Sequence, residues 1–460
     1  MEWILNISQA AAAMGGEIRN CDGDELVRSV STDTRKIESG ALFFALRGDR
    51  FDGHKFVPGA VDGGAVCCVV NRGEDSFGGL PVIAVEDTHK ALRDLAACYR
   101  MRFRIPVVGV TGSVGKTSTK EMIASVLSQS YKTHMTQGNF NNEIGLPLTV
   151  FGLMKEDEIM VLEMGMSNFG EISNLTRIAR PDTAVITNIG LSHIEHLGSR
   201  EGIKKAKFEI FEGLQMDGMV ILNGDDDMLW SARGEINFET LYYGIRNKNC
   251  DLTAYDIRTY SDGSEFTCKI DGEPYKFFVS VPGEHHIYNA LAAILAGIKY
   301  NVDIDDIKKG VRSFAPSGLR QTVIELPDYK VIRDCYNASP ASMKSGLEVL
   351  SLTQTKGRRV ACLADMLELG GISDEAHKSV GRLVVDYGID CLITVGPDAH
   401  YIARGAEDAG MNPADIHEFD SNDTLRERLA DLLKKNDVIL VKGSRGMRLE
   451  EIADAIAELS

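Results

Sequence analysis

The feature that most constrains the fold is an apolar segment that runs directly into a glycine-rich turn and a lysine. Residues 107–117 read VVGVTGSVGKT, and helical periodicity continues from there to about Ser128. A strand, a glycine-rich turn and a helix in this order place backbone N–H groups where they can bind phosphate, with Lys116 neutralising charge and Thr117 binding Mg²⁺. The turn therefore predicts a nucleotide site formed by Gly112, Ser113, Val114, Gly115, Lys116, Thr117 and Ser118.

The turn departs from the general pattern G-x-x-x-x-G-K-[ST] at one position. Val110 stands five places before Gly115, and Gly109 lies one residue out of phase, so the compact form T-G-x-x-G-K-T remains. A glycine-rich turn that binds nothing is the alternative, although lysine followed by threonine rarely serves packing alone here. The loop leaves the reaction open, because kinases, GTPases, ATPases and ligases all use it.

Strands and helices alternate along most of the 460 residues, a length that favours two to four domains. The pattern predicts an α/β protein with a small N-terminal α/β domain that ends in the basic stretch 100–104. A central, mostly parallel sheet follows, with the phosphate loop and a small antiparallel hairpin within 251–281. The third part has the pattern of a Rossmann-like, doubly wound domain. We expect the domains to span 1–102, 103–316 and 317–460.

Composition excludes several classes of protein. The formal charge of −17 opposes non-specific binding to nucleic acid or anionic lipid. The longest apolar runs, about ten residues, are half of the roughly 20 that cross a bilayer, and the N-terminus lacks a basic export signal. Nine cysteines occur without a C-x-x-C pair, and Cys67 and Cys68 lie in an apolar run. We therefore expect reduced thiols, a cytoplasmic location and no membrane span.

Two segments after the phosphate loop place a candidate metal ligand at the end of a predicted strand. Glu163 ends one strand, and His193 follows the next. Side chains at the carboxyl ends of neighbouring parallel strands can converge on a metal near the nucleotide. A loop histidine hydrogen-bonded to a neighbour is the alternative for His193. The spacing of His193 and His196 does not match the zinc-protease motif.

A lysine lies on the apolar face of the amphipathic helix predicted within 200–214. Lys207 shares that face with Ile203, Ala206, Ile210, Phe211 and Leu214. Burial there would lower the pKa of the ammonium and favour the neutral amine. A neutral amine can add CO₂ and become a carbamate, which is an anionic oxygen ligand for Mg²⁺. The alternative is a lysine that extends its charge to the edge of the helix.

These segments together resemble the Mur ligases. The matching motifs, whose order and spacing make the resemblance specific, are 111–117, 138–147, 163–170, 188–193 and 206–210. The resemblance implies that ATP phosphorylates a peptide carboxylate and that an amine attacks the acyl phosphate. It also implies two Mg²⁺ ions, a carbamylated Lys207, metal ligands at Thr117, Glu163, His193 and Lys207, and catalytic roles for Lys116, Lys207 and His193.

The resemblance extends to residues that contact the nucleotide. Segment 283–290 is similar to the family pattern G-x-H-N-x-x-N-A, which implies that Asn289 lies near the adenosine. His286 occupies a place usually held by asparagine, and we assign it no role. Arg320 and Asp334 resemble C-terminal residues that reach the nucleotide when the domains close and exclude water.

Within the family, segments 138–142, 337–343 and 364–370, the last followed by His377, favour the member that adds D-alanyl-D-alanine to a UDP-MurNAc-tripeptide. The D-N-P-R segment typical of the enzyme that adds the third residue is absent. Segments 31–35 and 45–54 resemble loops that bind uridine diphosphate. The resemblance implies substrate contacts by Ser31, Thr32, Arg35, Arg47, Asn139, Asn142 and Asn337.

Three other functions remain alternatives. Two are amide ligases of the same superfamily, the third-residue-adding enzyme and a folylpolyglutamate synthetase, although the folate enzyme lacks this type of N-terminal domain. The third is a regulatory ATPase or GTPase with a phosphate loop, but the chain has no N-K-x-D segment for reading guanine. We expect a monomer whose partners are UDP-MurNAc-tripeptide and D-Ala-D-Ala, and neither nucleic acid nor membrane.

Overall fold

The computed structural model describes residues 5–48, 51–74, 77–316 and 318–459. Part of the predicted loop 45–54 and Ser317, the first residue of the predicted third domain, lie outside them. The described residues form two compact units, one within 1–111, 131–184 and 208–218 and the other within 112–130, 185–207 and 219–460. Both units combine β-sheets with helices, which confirms the predicted α/β fold class. The predicted domain boundaries remain a prediction.

The first unit begins with a five-stranded sheet. In spatial order β1-β5-β4-β3-β2, only β1 runs antiparallel to its neighbour. The apolar runs of this region form the buried centre of the sheet, and Cys67 and Cys68 lie there without a disulfide. The elements, numbered along the whole chain, are α1 (Ile7–Met14), β1 (Glu17–Arg19), β2 (Ser29–Ser31), β3 (Ala41–Phe44), α2 (Val57–Asp62), β4 (Ala65–Asn71), β5 (Val82–Val85) and α3 (Thr88–Arg100).

Helix α3 ends in a buried arginine that is the first residue of the basic stretch. The Arg100 side chain donates to the carbonyl oxygens of Ala179 (3.1 Å), Phe103 (2.6 Å) and Ile105 (2.8 Å). Burial lowers the pKa of this guanidinium. Arg100 therefore fixes the chain where it enters the next strand.

The rest of the first unit contains part of a second sheet, including the strand that ends at Glu163. The spatial order is β9-β6-β8-β7, and β6, β8 and β7 are parallel. Helix α3 packs against the helices that follow β7 and β8. The elements are β6 (Val107–Thr111), β7 (Thr133–Met135), α5 (Gly145–Phe151), β8 (Ile159–Glu163), α6 (Glu171–Ala179) and the beginning of β9 (Thr183–Ile186).

The second unit contains the phosphate loop and the helix that follows it. Its strands run in the order β14-β13-β12-β11-β10-β9, parallel from β10 to β12 and antiparallel from β12 to β14. The predicted hairpin is confirmed as β13 and β14. The elements are α4 (Lys116–Leu127), α7 (Ile194–Leu197), α8 (Arg200–Phe208), β10 (Met219–Asn223), α9 (Asp227–Ser231), β11 (Glu239–Gly244), β12 (Leu252–Tyr260), β13 (Gly263–Ile270), β14 (Glu273–Val279), α10 (Glu284–Lys299) and α11 (Ile304–Ser313).

Helix α4 is held in place by close packing. The Ser125 hydroxyl donates to the Gly310 carbonyl at 2.8 Å. A Cβ added to Gly310 would lie 2.5 Å from the Cα of Val126, so only glycine allows α11 to approach this closely. Helix α4, whose N-terminus follows the phosphate loop, is therefore anchored near its C-terminus.

The chain ends in a six-stranded sheet of order β15-β16-β20-β17-β18-β19, in which only β15 is antiparallel to its neighbour. Apolar side chains fill both faces of this sheet, as expected for a doubly wound fold. The elements are β15 (Thr322–Glu325), β16 (Tyr329–Arg333), α12 (Pro340–Leu352), β17 (Arg359–Ala364), α13 (Ser373–Asp386), β18 (Cys391–Val395), α14 (His400–Asp408), β19 (Ile416–Phe419), α15 (Asn422–Arg426), α16 (Leu429–Leu432), β20 (Asp437–Lys442) and α17 (Glu450–Glu458).

No helix among the described residues combines the length and apolar character that crossing a membrane requires.

Candidate active site

The phosphate loop has a backbone that only glycine can adopt at its two sharpest points. Gly112 and Gly115 have φ angles of +151° and +86°. A Cβ on Gly112 would also lie 1.9 Å from the Oγ1 atom of Thr187. Helix α4 begins directly after Gly115 and has no side-chain cap at its N-terminus. Its first backbone N–H groups therefore face the loop, which is the arrangement that binds phosphate.

An asparagine after β9 clamps the loop by three hydrogen bonds. The Asn188 side chain accepts from the Val114 N–H (3.0 Å) and donates to the Val114 carbonyl (2.9 Å), while its backbone carbonyl accepts from the Ser113 N–H at 3.1 Å. The Thr187 hydroxyl donates to the same Val114 carbonyl at 2.6 Å. The loop is thus fixed by side chains from another strand, so binding phosphate requires little reorganisation. The sequence motif contained Asn188, but nothing in its local pattern indicated this role.

Lys116 lies folded over the loop. Its Nζ atom donates to the Gly112 carbonyl at 2.9 Å, so the ammonium is positioned above the glycine-rich turn. A lysine at this position supplies positive charge to a bound phosphate group.

Asn289, on α10, is a buried polar residue that contacts the helix following the phosphate loop. It is 6% exposed, and its Oδ1 atom accepts from the Thr119 hydroxyl at 2.9 Å. Its buried Nδ2 atom has no hydrogen-bond partner among the described residues. Leaving such a donor unpaired costs roughly 1–3 kcal/mol. A nucleotide that accepts from this amide would remove that cost, so the residues fit ATP.

Lys207 is buried on α8, as its position on the apolar face predicts. It is 2% exposed, and Ile203 and Ala206 beside it are fully buried. Burial lowers the pKa of the ammonium well below its usual value, and the charge of Lys116 lowers it further. The amine is therefore disposed to be neutral, the form that adds CO₂.

His193 is paired with a carboxylate from the C-terminal sheet region. Its Nδ1 atom lies 2.5 Å from the Oε2 atom of Glu368. Burial lowers the pKa of His193, while the Glu368 charge opposes that shift. The neutral imidazole is the form that binds metal ions. Glu368 belongs to the motif 364–370, but its contact with His193 joins distant parts of the chain and has no local sequence signal.

Glu163 lies in the first unit at the carboxyl end of β8 and is fully buried. Its Oε1 atom accepts from the Asn141 side chain at 2.7 Å, and its backbone N–H donates to the Thr136 hydroxyl at 3.0 Å. A carboxylate held in one orientation is suited to binding a cation. The sequence did not predict this role of Asn141, because segment 138–147 contains three asparagines and nothing in it distinguishes Asn141 from the other two.

In the part of the chain that the structure describes, no three His, Cys, Asp or Glu side chains cluster as a metal site. The predicted ligand set contains one Glu and one His, together with the Thr117 hydroxyl and the Lys207 amine. An amine that has not reacted with CO₂ would supply no anionic oxygen. The anionic ligand that the resemblance implies at Lys207 therefore requires the carbamate.

Comparisons with known proteins agree with this site. Three models of Mur ligase regions match in order along the chain: the Mur ligase family catalytic domain over 26–100, the Mur ligase middle domain over 110–297 and the Mur ligase glutamate ligase domain over 320–445. The chain belongs to the Mur ligase family. The family predicted from the sequence motifs is confirmed.

Three relatives show how far the similarity of this Mur ligase extends. A UDP-N-acetylmuramoyl-tripeptide–D-alanyl-D-alanine ligase of Bacillus subtilis is 41% identical over 98% of both chains. A crystal structure of MurF from Acinetobacter baumannii superposes with a TM-score of 0.90 at 29% identity, covering 99% of each chain. MurF from Thermotoga maritima, crystallised with ADP, gives 0.81 at 29% identity, covering 95% of this chain and 98% of that one.

The two predicted C-terminal nucleotide residues of this Mur ligase, Arg320 and Asp334, contact different partners. The guanidinium of Arg320 stacks 3.9 Å above the ring of Tyr336. Asp334 forms a buried ion pair of 2.8 Å with Lys442, whose Nζ atom also donates to the Asn337 carbonyl at 2.9 Å. Contact of Arg320 and Asp334 with a nucleotide, and of Asn337 with substrate, remains a prediction.

His286, to which the motif gave no role, joins His285 on a single partner. The Nε2 atoms of both lie 2.9–3.0 Å from the Oε1 atom of Gln321. Because an amide oxygen only accepts, both imidazoles donate through Nε2. The pair thus connects the start of α10 to the segment that leads into the six-stranded sheet.

The two predicted substrate arginines of the N-terminal region are exposed and paired with nearby acids. Arg35 donates to Asp33 at 2.7 Å, and this hydrogen bond lowers the pKa of Asp33 to about 2. The Ser31 hydroxyl donates to the Asp33 carbonyl, and Thr32 between them is partly exposed. Arg47 donates to Asp52 and Glu74, each at 2.8 Å. A phosphate group that binds here would compete with these carboxylates.

The other two predicted substrate residues lie in the first unit near Glu163. Asn142 accepts the backbone N–H groups of Ile144 (3.2 Å) and Gly145 (2.8 Å), and so holds the start of α5. Asn139 is exposed. Substrate contacts by both residues remain predictions.

Proposed function

We propose that this Mur ligase joins D-alanyl-D-alanine to a UDP-MurNAc-tripeptide, with conversion of ATP to ADP and phosphate. The observation that carries the proposal is the 41% identity to the Bacillus subtilis ligase of that name, because it extends over 98% of both chains. The product is the UDP-MurNAc-pentapeptide, a peptidoglycan precursor. An enzyme of this kind works on small cytoplasmic substrates, and we expect it to act there as a monomer.

In the proposed reaction, an oxygen of the tripeptide's terminal carboxylate takes the γ-phosphoryl group of ATP, and ADP leaves. The amine of D-Ala-D-Ala then attacks the acyl carbon to give a tetrahedral intermediate. Its collapse forms the amide bond, releases phosphate with the oxygen that it received, and passes the proton of the amine to solvent. The protein need not supply a nucleophile.

The main electrostatic problem is that ATP and the carboxylate are both anions. Lys116, fixed above the phosphate loop, offsets part of this repulsion. Two Mg²⁺ ions, when bound, neutralise charge on the transferring phosphoryl group. We assign Thr117 and Glu163 to one ion, and His193 and carbamylated Lys207 to the other. Burial lowers the pKa of both Lys207 and His193, and so favours the neutral amine and the neutral imidazole on which this assignment depends.

ATP would be bound by the phosphate loop and by Asn289, whose buried Nδ2 atom lacks a partner among the described residues. The ADP in the Thermotoga maritima relative is consistent with this choice of nucleotide. We assign Arg320 and Asp334 to the nucleotide as well. The UDP-tripeptide would be bound by Ser31, Thr32, Arg35, Arg47, Asn139, Asn142 and Asn337.

A phosphate-release assay tests the proposal. The purified protein is incubated with ATP, Mg²⁺ and UDP-MurNAc-tripeptide, and phosphate is measured with and without D-Ala-D-Ala. We expect release that depends on both the tripeptide and D-Ala-D-Ala, and a pentapeptide product by mass spectrometry.

The same assay separates the alternatives. Turnover with UDP-MurNAc-dipeptide and a free diamino acid would identify the enzyme that adds the third residue and contradict the proposal. Turnover with a folate and glutamate would identify a folylpolyglutamate synthetase. Phosphate release that needs no carboxylate acceptor would indicate a regulatory ATPase.

A further inference from the structure

The contact between His193 and Glu368 joins two loops that are far apart in the sequence. His193 lies before α7, and Glu368 follows β17 in the C-terminal sheet region. Besides the 2.5 Å contact of their side chains, the Glu195 N–H donates to the Glu368 carbonyl at 3.4 Å. The two loops therefore meet through the main chain as well as through side chains.

Both residues have a backbone conformation that is unfavourable for side chains other than glycine. The φ angles are +64° for His193 and +63° for Glu368. Such conformations are strained and persist only where the surrounding structure fixes them. The folded structure therefore holds the imidazole and the carboxylate in place although both backbone conformations are unfavourable.

The loop that carries Glu368 is anchored at each side of its tip. The Met366 N–H donates to the Nε2 atom of buried His377 at 2.9 Å, and the Leu367 N–H donates to the Ser444 hydroxyl at 2.9 Å. Met366 and Leu369 are buried in the C-terminal core, at 1% and 3% exposure. Glu368 itself is 44% exposed at its side chain, so the carboxylate is free of the core yet held in place.

The chemistry of this contact determines which nitrogen of His193 can bind a metal. A carboxylate accepts a hydrogen bond, so the proton of the neutral imidazole lies on Nδ1 and the lone pair on Nε2. Carboxylates that fix metal-binding histidines in this way raise their basicity and orient the ring. An exposed loop histidine without such a partner would exchange between both tautomers.

We propose that Glu368 is a positioning residue for the metal site: its carboxylate holds the His193 imidazole with Nε2 available to the ion. This inference rests on the metal role that the proposed function gives to His193. It makes metal affinity depend on a loop of the C-terminal sheet region, so that the ion is bound tightly only when that loop contacts His193.

Binding of Mn²⁺ to the full-length protein tests the inference without measuring catalysis. Free Mn²⁺ is measured by electron paramagnetic resonance during titration in the presence of ADP. We expect two bound ions in the unmodified protein. Glu368→Ala should weaken one of them about 10- to 100-fold, and Glu368→Gln should weaken it less because an amide oxygen can still accept.

Matched variants separate this inference from the proposed function. Glu195→Gln, which changes a carboxylate on the adjoining helix α7, should leave both ions unchanged. His193→Ala should remove the ion that Glu368→Ala weakens, and the double variant should bind no more weakly than His193→Ala alone. Loss in His193→Ala with no change in either Glu368 variant would overturn the inference alone. No change in His193→Ala would overturn the proposed metal site and the inference with it.

Nuclear magnetic resonance of the metal-free protein gives a second readout. Long-range ¹H–¹⁵N spectra report which ring nitrogen of His193 carries the proton. We expect the Nδ1–H tautomer in the unmodified protein and a mixture in Glu368→Ala, whose thermal unfolding should be unchanged. The same tautomer in both proteins would overturn the inference.

Discussion

The phosphate loop and the arginine loops of the N-terminal region are both predicted to bind phosphate groups, yet they are built differently. The first uses backbone N–H groups and a lysine, fixed by Asn188 and by two glycines that tolerate no side chain. The second uses exposed Arg35 and Arg47, each already paired with a carboxylate. The phosphate loop is preorganised by folding, whereas the arginines must exchange one anion for another.

This contrast predicts that changes in the buried region act on catalysis and folding, while changes in the arginine loops act on substrate affinity. Substitutions in the two regions can break or sharpen the contrast, and the largest effect is expected at the buried lysine.

Lys207→Ala should lower kcat by at least about 10³-fold, roughly 4 kcal/mol, because it removes the carbamate that we assign to a metal ion. Short carboxylates such as formate or acetate should restore part of the activity by entering the vacated space. Steady-state phosphate release measures both effects. Lys205→Ala, on the exposed side of the same helix, is the control and should retain activity. Absence of rescue in a folded protein would argue against the carbamate.

The carbamate should also respond to pH in a defined direction. Burial lowers the pKa of Lys207, which favours the neutral amine that reacts with CO₂, and protonation of the amine on acidification reverses the reaction. With ¹³C-labelled bicarbonate, we expect a carbamate resonance near neutral pH that weakens on acidification and is absent in Lys207→Ala. A resonance that forms only above about pH 9 would indicate an ordinary exposed lysine instead.

Gly112→Ala should destabilise the protein by about 3 kcal/mol and abolish tight ADP binding. The added Cβ meets Thr187 at 1.9 Å, and the φ angle of +151° is open to glycine alone. Thermal unfolding and calorimetric titration with ADP measure these effects. Gly73→Ala is the matched control, since Gly73 has a φ angle of +88° but nothing within 4 Å. Equal effects in both variants would mean that backbone strain, and not the close approach to Thr187, matters.

The sequence predicts the parts of the site that neighbouring residues build, but not the contacts between distant residues. The phosphate loop, the strand ends with Glu163 and the buried face of Lys207 were predictable, because each depends on residues adjacent in the chain. Asn188 and Glu368 were not, since their partners are 74 and 175 residues away. The short edge strands β2 and β7 have only three residues each, too few to show periodicity.

Arg47→Ala should have the smallest effect, raising the KM for UDP-MurNAc-tripeptide about tenfold without changing kcat or the unfolding temperature. Arg47 is exposed, and its partners Asp52 and Glu74 lie at the surface, so folding does not depend on it. Arg19→Ala, which breaks a comparable exposed pair with Glu17, should leave the KM unchanged. A fall in kcat of Arg47→Ala would contradict the proposed division between the two regions.

The transfer of labelled oxygen tests most directly that the phosphate loop activates a carboxylate. UDP-MurNAc-tripeptide with ¹⁸O in its terminal carboxylate is converted with ATP and D-Ala-D-Ala, and the released phosphate is analysed by mass spectrometry. Activation through an acyl phosphate predicts one ¹⁸O atom in each phosphate. Phosphate without the label would show that water, and not the peptide, receives the phosphoryl group, and would contradict the account.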